Sequence, residues 1–234
     1  MESYNVQRMP RKVVKRAGEV AAPRAERVDE IVRRLRAMYP RPVVSLDFRT
    51  PWELLAATIL AAQSTDARVN MVTRDLFAKY PTVGDIARAD TAELEQDIRT
   101  TGYFRSKAKS LQGAANVILK EHGGEVPQTL EQLVELPGVG RKTANVVLGN
   151  AFGKSVGIVV DTHVTRVSQR LALTSHSDPV KIEQDLMEII PKREWVKFAH
   201  RVILHGRAIC IARKPLCGDC LLNEVCPSAR EPRL

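Results

Sequence analysis

The sequence has few aromatic residues and no long apolar run. Only 5% of its 234 residues are Phe, Trp or Tyr, although 44% are hydrophobic. The core must therefore be built from aliphatic side chains and alanine, a composition that suits packed helices. No stretch reaches the roughly 18 consecutive apolar residues that a membrane-spanning helix needs, so we expect no membrane contact.

Cysteine is also scarce, and all four cysteines lie between positions 210 and 226. Residues 1–24 are basic but contain no apolar segment, so they do not resemble a secretory signal. We interpret residues 1–24 as a flexible basic arm, with a transit peptide as the alternative. In a cytoplasmic protein thiols stay reduced, and clustered cysteines then usually bind a metal instead of forming disulfides.

Acidic residues are outnumbered, since 36 Lys and Arg face 27 Asp and Glu, which gives a net charge of +9. Such an excess argues for a polyanionic partner, because cationic side chains release condensed counterions from a phosphate backbone. A basic protein without such a partner remains the alternative on charge alone.

Apolar residues follow a helical period almost throughout from residue 26 onward. Val28, Ile31 and Leu35 share one face of a helix that must end before Pro40. Residues 52–62 are nearly all apolar, which is typical of a helix buried on every side. Only residues 157–160 look extended. The sequence therefore predicts an all-α fold of about ten helices.

The segment Leu-Pro-Gly-Val-Gly-Arg-Lys-Thr-Ala at residues 136–144 predicts a helix-hairpin-helix. Gly138 and Gly140 let the backbone turn sharply and approach another molecule closely. The N–H groups at the start of the second helix, beside Arg141, favour an anion such as a DNA phosphate. An ordinary tight turn between two helices is the alternative.

Two titratable residues near this turn are candidates for catalysis. Lys142 lies in the first helical turn, where the helix dipole and Arg141 disfavour a second cation and favour the neutral amine of a nucleophile. Asp161 precedes a helix that Thr162 can cap, and its carboxylate could move protons and stabilise positive charge on a sugar. Taken alone, Lys142 is more often a phosphate contact and Asp161 a helix cap.

The cysteines follow the spacing Cys210-x6-Cys217-x2-Cys220-x5-Cys226. Four thiolates without a histidine can hold either zinc or an iron–sulfur cluster. Structural zinc sites usually use two C-x2-C pairs, whereas this sequence has one pair and two unequal loops. The spacing leaves both metal sites open.

Together these motifs resemble the endonuclease III family of helix-hairpin-helix DNA glycosylases. The likeness rests on residues 136–148, on Val-Asp-Thr-His at 160–163, on His-Gly-Arg at 205–207 and on the cysteine spacing. It extends to Ala-Ala-Gln-Ser-Thr-Asp at 61–66 and Gly-Glu-Val-Pro at 124–127, and it covers about residues 25–230. It implies two helical lobes: a helical barrel with the hairpin at 46–156, and a [4Fe–4S] cluster lobe made of 25–45 plus 157–234.

The resemblance implies a bifunctional DNA glycosylase and AP lyase of base excision repair that excises oxidised, mainly pyrimidine, bases. Lys142 would attack C1′ and form a Schiff base, Asp161 would assist base departure, and β-elimination would nick the strand. The cysteines would hold a [4Fe–4S] cluster instead of zinc. The expected DNA contacts include the hairpin residues Gly138, Gly140 and Arg141, together with His163, Arg213 and Lys214.

The same resemblance predicts residues that fill the gap left by an extruded nucleotide. Gln63 would enter this gap. A second residue would come from the loop at 101–107, where Tyr103 replaces the leucine common in the family and could stack on the orphaned base. The alternatives are a polar contact at a helix end for Gln63 and a half-buried packing role for Tyr103.

The expected partner is double-stranded DNA with damaged bases or abasic sites, bound by a monomer in the bacterial cytoplasm at the nucleoid. One rival is an adenine-mismatch glycosylase, which shares the cysteine spacing but typically lacks the hairpin lysine. Another rival is a non-catalytic DNA-binding protein with the same scaffold, which would bind DNA but would not cleave it.

Overall fold

The computed structural model describes residues 24–229 and confirms the all-α prediction. The α-helices, numbered in chain order, are α1 (Arg24–Met38), α2 (Pro51–Leu60), α3 (Asp66–Lys79), α4 (Val83–Arg88), α5 (Thr91–Asp97), α6 (Phe104–Glu121), α7 (Leu130–Glu135), α8 (Arg141–Ala151), α9 (Thr162–Arg170), α10 (Pro179–Ile189) and α11 (Trp195–Ala208). Four short 3-10 helices add Arg99–Thr101, Lys192–Glu194, Cys217–Asp219 and Asn223–Val225. Nearly all of the predicted basic arm, residues 1–23, lies outside the described residues.

Residues 157–160, which we expected to be extended, belong to no strand, and no strand occurs anywhere in the described part of the chain. Ile158, Val159 and Val160 are buried, so this segment packs as a core connection. Within residues 24–229, no helix combines the length and apolar character needed to cross a membrane.

The chain divides into two compact units. Residues 44–156 form the first, here called the hairpin unit, and the described residues up to 43 and from 157 onward form the second, the cysteine unit. From the sequence, residues 44 and 45 were predicted to belong to the cluster lobe, whereas in the structure they belong to the hairpin unit. Asn70 of α3 accounts for the difference, because its side-chain amide donates to the Ser45 carbonyl at 2.9 Å and its oxygen accepts from the Asp47 N–H at 3.0 Å.

The hairpin unit is built around α2, whose side chains are buried on every face, as predicted. Leu54, Leu55 and Leu60 are fully buried, and α2 packs against α3, α6 and α8. Five helices of this unit, α2 to α5 and α7, begin where a Thr or Asp side chain accepts a backbone N–H, an arrangement that stabilises each helix by about 1 kcal/mol. These N-caps are Thr50, Thr65, Thr82, Asp90 and Thr129.

In the cysteine unit, α11 packs against both α1 and α9. Buried Arg201 of α11 donates to the Tyr39 carbonyl at 3.1 Å and to Glu194 at 2.6 Å. Arg34 of α1 donates to the Leu221 carbonyl at 2.6 Å and pairs with Glu224, also at 2.6 Å. The first described helix is therefore joined by charged hydrogen bonds to the segment that carries the cysteines.

Candidate functional site

The turn of the predicted hairpin connects α7 to α8 and requires a glycine at position 138. Gly138 has a φ of 77°, in the left-handed region that favours glycine. A Cβ at this position would lie 2.6 Å from the Ser110 Cβ of α6, which is closer than such atoms approach. Both the backbone angle and the contact with α6 therefore exclude a larger residue at Gly138.

Gly140 has a different role, because its φ of −94° is open to any residue. No atom lies within 4 Å of the position its Cβ would occupy. Gly140 is the N-cap of α8 and offers no side chain to the first N–H groups of that helix. The start of α8 is thus an open backbone surface, and Arg141 and Lys142 are both exposed in its first turn.

Gln63 and Tyr103 share an unusual backbone conformation. Among the described residues, the non-glycine residues with positive φ are Gln63 at 53°, Tyr103 at 49° and Ala172 at 50°. This conformation costs an L-residue roughly 1–2 kcal/mol, and such residues concentrate at functional sites. The Gln63 side chain is exposed and Tyr103 is 69% exposed, which argues against a packing role for Tyr103.

Asp161 is the N-cap of α9, a role for which the sequence offered both Asp161 and Thr162. Its Oδ1 accepts the N–H groups of His163 at 2.9 Å and Val164 at 2.8 Å, so Thr162 is the first residue of the helix instead. Both N–H groups donate to Oδ1, and Oδ2 accepts neither of these two hydrogen bonds. The cap fixes the carboxylate while one of its oxygens takes no part in holding the helix.

His163 is half-buried and interacts within its own unit. Its Nδ1 lies 3.1 Å from the guanidinium of Arg166. Gly206 of α11 packs against it so closely that a Cβ on Gly206 would lie 3.1 Å from the His163 Cβ. Burial lowers the pKa of His163, which favours the neutral imidazole beside Arg166.

The four cysteines line one cavity of about 210 Å³ in the cysteine unit. None of them forms a disulfide, and each is partly exposed. Across residues 24–229, no group of three His, Cys, Asp or Glu side chains is placed to hold a metal ion. Four thiols that line one cavity supply the number of ligands that a [4Fe–4S] cluster needs and that a structural zinc ion also uses.

Burial changes the acidity of two of these thiols. It raises the pKa of Cys220 to about 12 and raises that of Cys226 as well. His205, whose Nε2 is 3.5 Å from the Cys220 Sγ, has its pKa lowered by burial to about 4. Such thiols hold their protons unless a metal cation displaces them, so the site suits a metal centre and not a reactive free thiolate.

Two arginines that the sequence analysis missed hold the loop after Cys210. Arg170 of α9 donates to the Cys210 Sγ at 3.3 Å and to the carbonyls of Ile211 at 2.9 Å and Ala212 at 2.7 Å. Arg166 donates to the Cys210 carbonyl at 3.2 Å. The signal was a basic pair four residues apart, which share one helix face. The last residue of α9, the helix that Asp161 caps, therefore contacts the cysteine loop.

The structure groups some of the predicted site residues and separates others. The hairpin carries four of these residues in one short segment: Gly138, Gly140, Arg141 and Lys142. The four cysteines surround one cavity. Arg213 and Lys214 are exposed on the loop between Cys210 and Cys217. Lys142 belongs to the hairpin unit and Asp161 to the cysteine unit.

Comparisons with known protein families match both units. The family of HhH-GPD superfamily base excision DNA repair proteins matches residues 56–192, which include the hairpin and Asp161. The iron-sulfur binding domain of endonuclease III matches residues 210–226, which begin and end at the outer cysteines.

Individual relatives agree with these families. Endonuclease III of Synechocystis sp. is 54% identical over 209 residues, which cover 89% of this chain and 95% of the relative. Endonuclease III of Escherichia coli K12 is 41% identical, covering 84% of this chain and 93% of the relative.

Solved structures show the same relationship. A non-covalent endonuclease III–DNA complex and a trapped endonuclease III–DNA covalent intermediate each match with a TM-score of 0.84 and 43% identity, covering 88% of this chain and 97% of theirs. The hairpin, the cysteine cavity and the extent of these matches lead to one conclusion: the chain belongs to the endonuclease III family, as a bifunctional DNA glycosylase and AP lyase of base excision repair that carries a [4Fe–4S] cluster.

Proposed function

We propose that Lys142 is the nucleophile of this enzyme. The observation that carries the proposal is the exposed position of Lys142 in the first turn of α8, next to the open backbone of Gly140. A phosphate bound at this helix start would bring the sugar-phosphate backbone to the amine. The amine must be neutral to attack, so the reaction begins only after Nζ has given up a proton.

The lysine accounts for both chemical steps. The lone pair of its Nζ attacks C1′, the bond between C1′ and the base breaks, and the electron pair of that bond leaves with the base. The ring bond between C1′ and O4′ then breaks, O4′ takes up a proton to become a hydroxyl, and Nζ forms an imine with C1′. Loss of a proton from C2′ and cleavage of the C3′–O bond complete the β-elimination, in which the downstream strand leaves with its 5′-phosphate. Water then hydrolyses the imine and frees Nζ.

Asp161 is proposed to stabilise the positive charge that develops on the sugar and to accept the proton of the attacking amine. The support is its double hydrogen bond from the His163 and Val164 N–H groups. These two hydrogen bonds hold the carboxylate in place, so the side chain is not free to turn away. Asp161 then acts as a fixed negative charge whose Oδ2 is the oxygen for proton transfer.

Several further residues are proposed to bind DNA. Gly138, Gly140 and Arg141 would bind a phosphate at the hairpin, and the exposed Arg213 and Lys214 would bind others beside the cysteine loop. The ring of His163 would contribute its Nε2, since its Nδ1 faces Arg166. Gln63 and Tyr103 are proposed to fill the gap left by the extruded nucleotide, supported by their exposure and their left-handed backbones.

Cys210, Cys217, Cys220 and Cys226 are proposed as the ligands of the [4Fe–4S] cluster. Binding of this cluster would join the end of α11 to the C-terminal 3-10 turns and fix the loop that carries Arg213 and Lys214. Arg170 supports this role, because a hydrogen bond to the Cys210 sulfur stabilises an anionic ligand.

The substrate is proposed to be double-stranded DNA that contains oxidised, mainly pyrimidine, bases or abasic sites. A monomer would suffice, because one chain supplies every residue named above. The relatives described above are bacterial, which supports action on the chromosome in the cytoplasm, at the nucleoid.

A panel of duplexes tests this proposal. Each duplex carries one lesion: thymine glycol, an oxidised cytosine, 8-oxoguanine, 3-methyladenine or an adenine opposite guanine. We expect strand cleavage at the oxidised pyrimidines to be at least roughly tenfold faster than at the purine lesions. Lys142→Gln should abolish cleavage, whereas Lys120→Gln, on the exposed face of α6, should retain it. Fastest release of the mismatched adenine would instead favour the adenine-mismatch rival.

A further inference from the structure

Lys107 is a buried lysine that has no part in the chemistry described above. It lies in the first turn of α6 and is only 5% exposed. Its Nζ donates to the Leu60 carbonyl and to the Thr101 carbonyl, both at 2.8 Å. Burial lowers the pKa of Lys107, because an ammonium is less stable away from water.

The two acceptors of Lys107 are both carbonyls at helix ends. Leu60 is the last residue of α2, and the Ser64 N–H that would bond to it in a longer helix bonds to Ala61 instead. Thr101 is the last residue of the 3-10 helix Arg99–Thr101. Carbonyls at helix ends lack intrahelical donors and carry the negative end of the helix dipole, so one ammonium can satisfy both.

Each of these carbonyls shortly precedes a residue proposed to enter the DNA. Gln63 comes three residues after Leu60, and Tyr103 comes two residues after Thr101. A chain of two or three residues spans at most about 7–11 Å, so an anchor at its start limits where its end can lie. The backbones of both residues are left-handed, a conformation that persists only where the surroundings hold it.

We propose that Lys107 is a positioning residue for base extrusion, which holds the Gln63 loop and the Tyr103 loop in a fixed relation to each other. This inference rests on the proposed entry of Gln63 and Tyr103 into the DNA. Methionine would fill the same space without the cost of burying a charge. If this side chain served only to fill the core, the ammonium of Lys107 would therefore add a cost and no stability. Its two hydrogen bonds are what methionine cannot provide.

The test compares Lys107→Met with Lys109→Met. Both variants remove one positive charge from the first part of α6, but Lys109 is exposed, with no hydrogen bond to either loop. Single-turnover rates are measured for base release from a thymine glycol duplex and for cleavage of a preformed abasic duplex, which needs less unstacking. Thermal unfolding and visible absorbance establish that each variant is folded and carries its cluster.

We expect Lys107→Met to slow base release by roughly tenfold or more, and cleavage of the abasic duplex by less than about threefold. Lys109→Met should change neither rate by more than about twofold. Equal losses on both substrates, or no loss on either, would overturn the positioning role. If Lys107→Met does not fold, Lys107→Gln keeps a donor on a shorter side chain and is judged by the same two rates.

A set of combined variants separates this inference from the proposed function. If Lys107 acts through the two loops, adding Lys107→Met to Gln63→Ala/Tyr103→Ala should slow base release no further. A multiplied loss would mean that Lys107 acts elsewhere, and the inference would be wrong. Normal base release by Gln63→Ala/Tyr103→Ala would instead refute the proposed roles of Gln63 and Tyr103 themselves.

Discussion

Replacing Gly138 with alanine should disrupt the hairpin through two separable effects. The first is backbone strain, because alanine at a φ of 77° lies in the left-handed region. The second is a collision, because the new methyl group would lie 2.6 Å from the Ser110 Cβ and 2.7 Å from its Oγ. Both effects raise the free energy of the native state.

The magnitudes can be worked from the backbone angle and the collision. The left-handed conformation costs roughly 1–2 kcal/mol for a residue with a Cβ. A methyl group forced into a packed site typically costs a further 1–3 kcal/mol, since the Ser110 Cβ is fixed to the backbone and cannot rotate away. The sum is about 2–5 kcal/mol, which for a chain of this size lowers the melting temperature by roughly 4–20 °C.

The assay is thermal unfolding at one scan rate, with two matched controls. Gly123→Ala has a φ of 61° but open space around its Cβ, so it measures the backbone cost alone. Ser110→Gly removes the colliding atom, so Ser110→Gly/Gly138→Ala should recover the part of the stability that the collision costs. If Gly138→Ala costs no more than Gly123→Ala, or if Ser110→Gly does not relieve it, the packing argument for this glycine is refuted.

Three further predictions concern the cysteine loop, the aspartate and the N-terminus. Arg170→Gln removes the donor to the Cys210 sulfur and should make the visible absorbance of the cluster decay roughly tenfold faster when a chelator is present. The control variant Arg193→Gln should leave the rate of decay unchanged. Equal rates in the two variants would contradict this role of Arg170. Asp161→Asn keeps an oxygen that can cap α9, so the melting temperature should hold while base release slows by roughly 10²-fold. Unaltered base release would remove Asp161 from the mechanism. Deletion of residues 1–23 should flatten the salt dependence of DNA binding by roughly 0.9 in slope for each phosphate that the arm neutralises, and an unchanged slope would leave the arm without a role in binding.

Local sequence signals were enough to predict much of the fold. The apolar run at residues 52–62 predicted a buried helix, and α2 is buried on every face. Pro179 lies in the first turn of α10, a position that favours proline, and Asp178 provides the cap. Such signals act over three or four residues and therefore survive in the sequence alone. Where two candidates for a cap stood side by side, as with Asp161 and Thr162, the sequence did not distinguish them.

The residues that the sequence did not reveal make contacts across long stretches of chain. Arg170 reaches a sulfur 40 residues away, and Lys107 reaches a carbonyl 47 residues away. Both acceptors of Lys107 are backbone carbonyls, which carry no side-chain signal in the sequence. The positive φ angles of Gln63 and Tyr103 were equally hidden, because neither residue is one that a turn normally requires.

Borohydride trapping followed by peptide mapping determines whether the amine of Lys142 forms the covalent bond to DNA. Borohydride added during turnover on a thymine glycol duplex should reduce the imine and leave one peptide joined to the DNA. This peptide should contain Lys142, and Lys142→Gln should form no adduct although it still binds the damaged duplex. An adduct on another lysine, or on the N-terminal amine, or an undiminished adduct in Lys142→Gln, would contradict the role of Lys142 as the nucleophile.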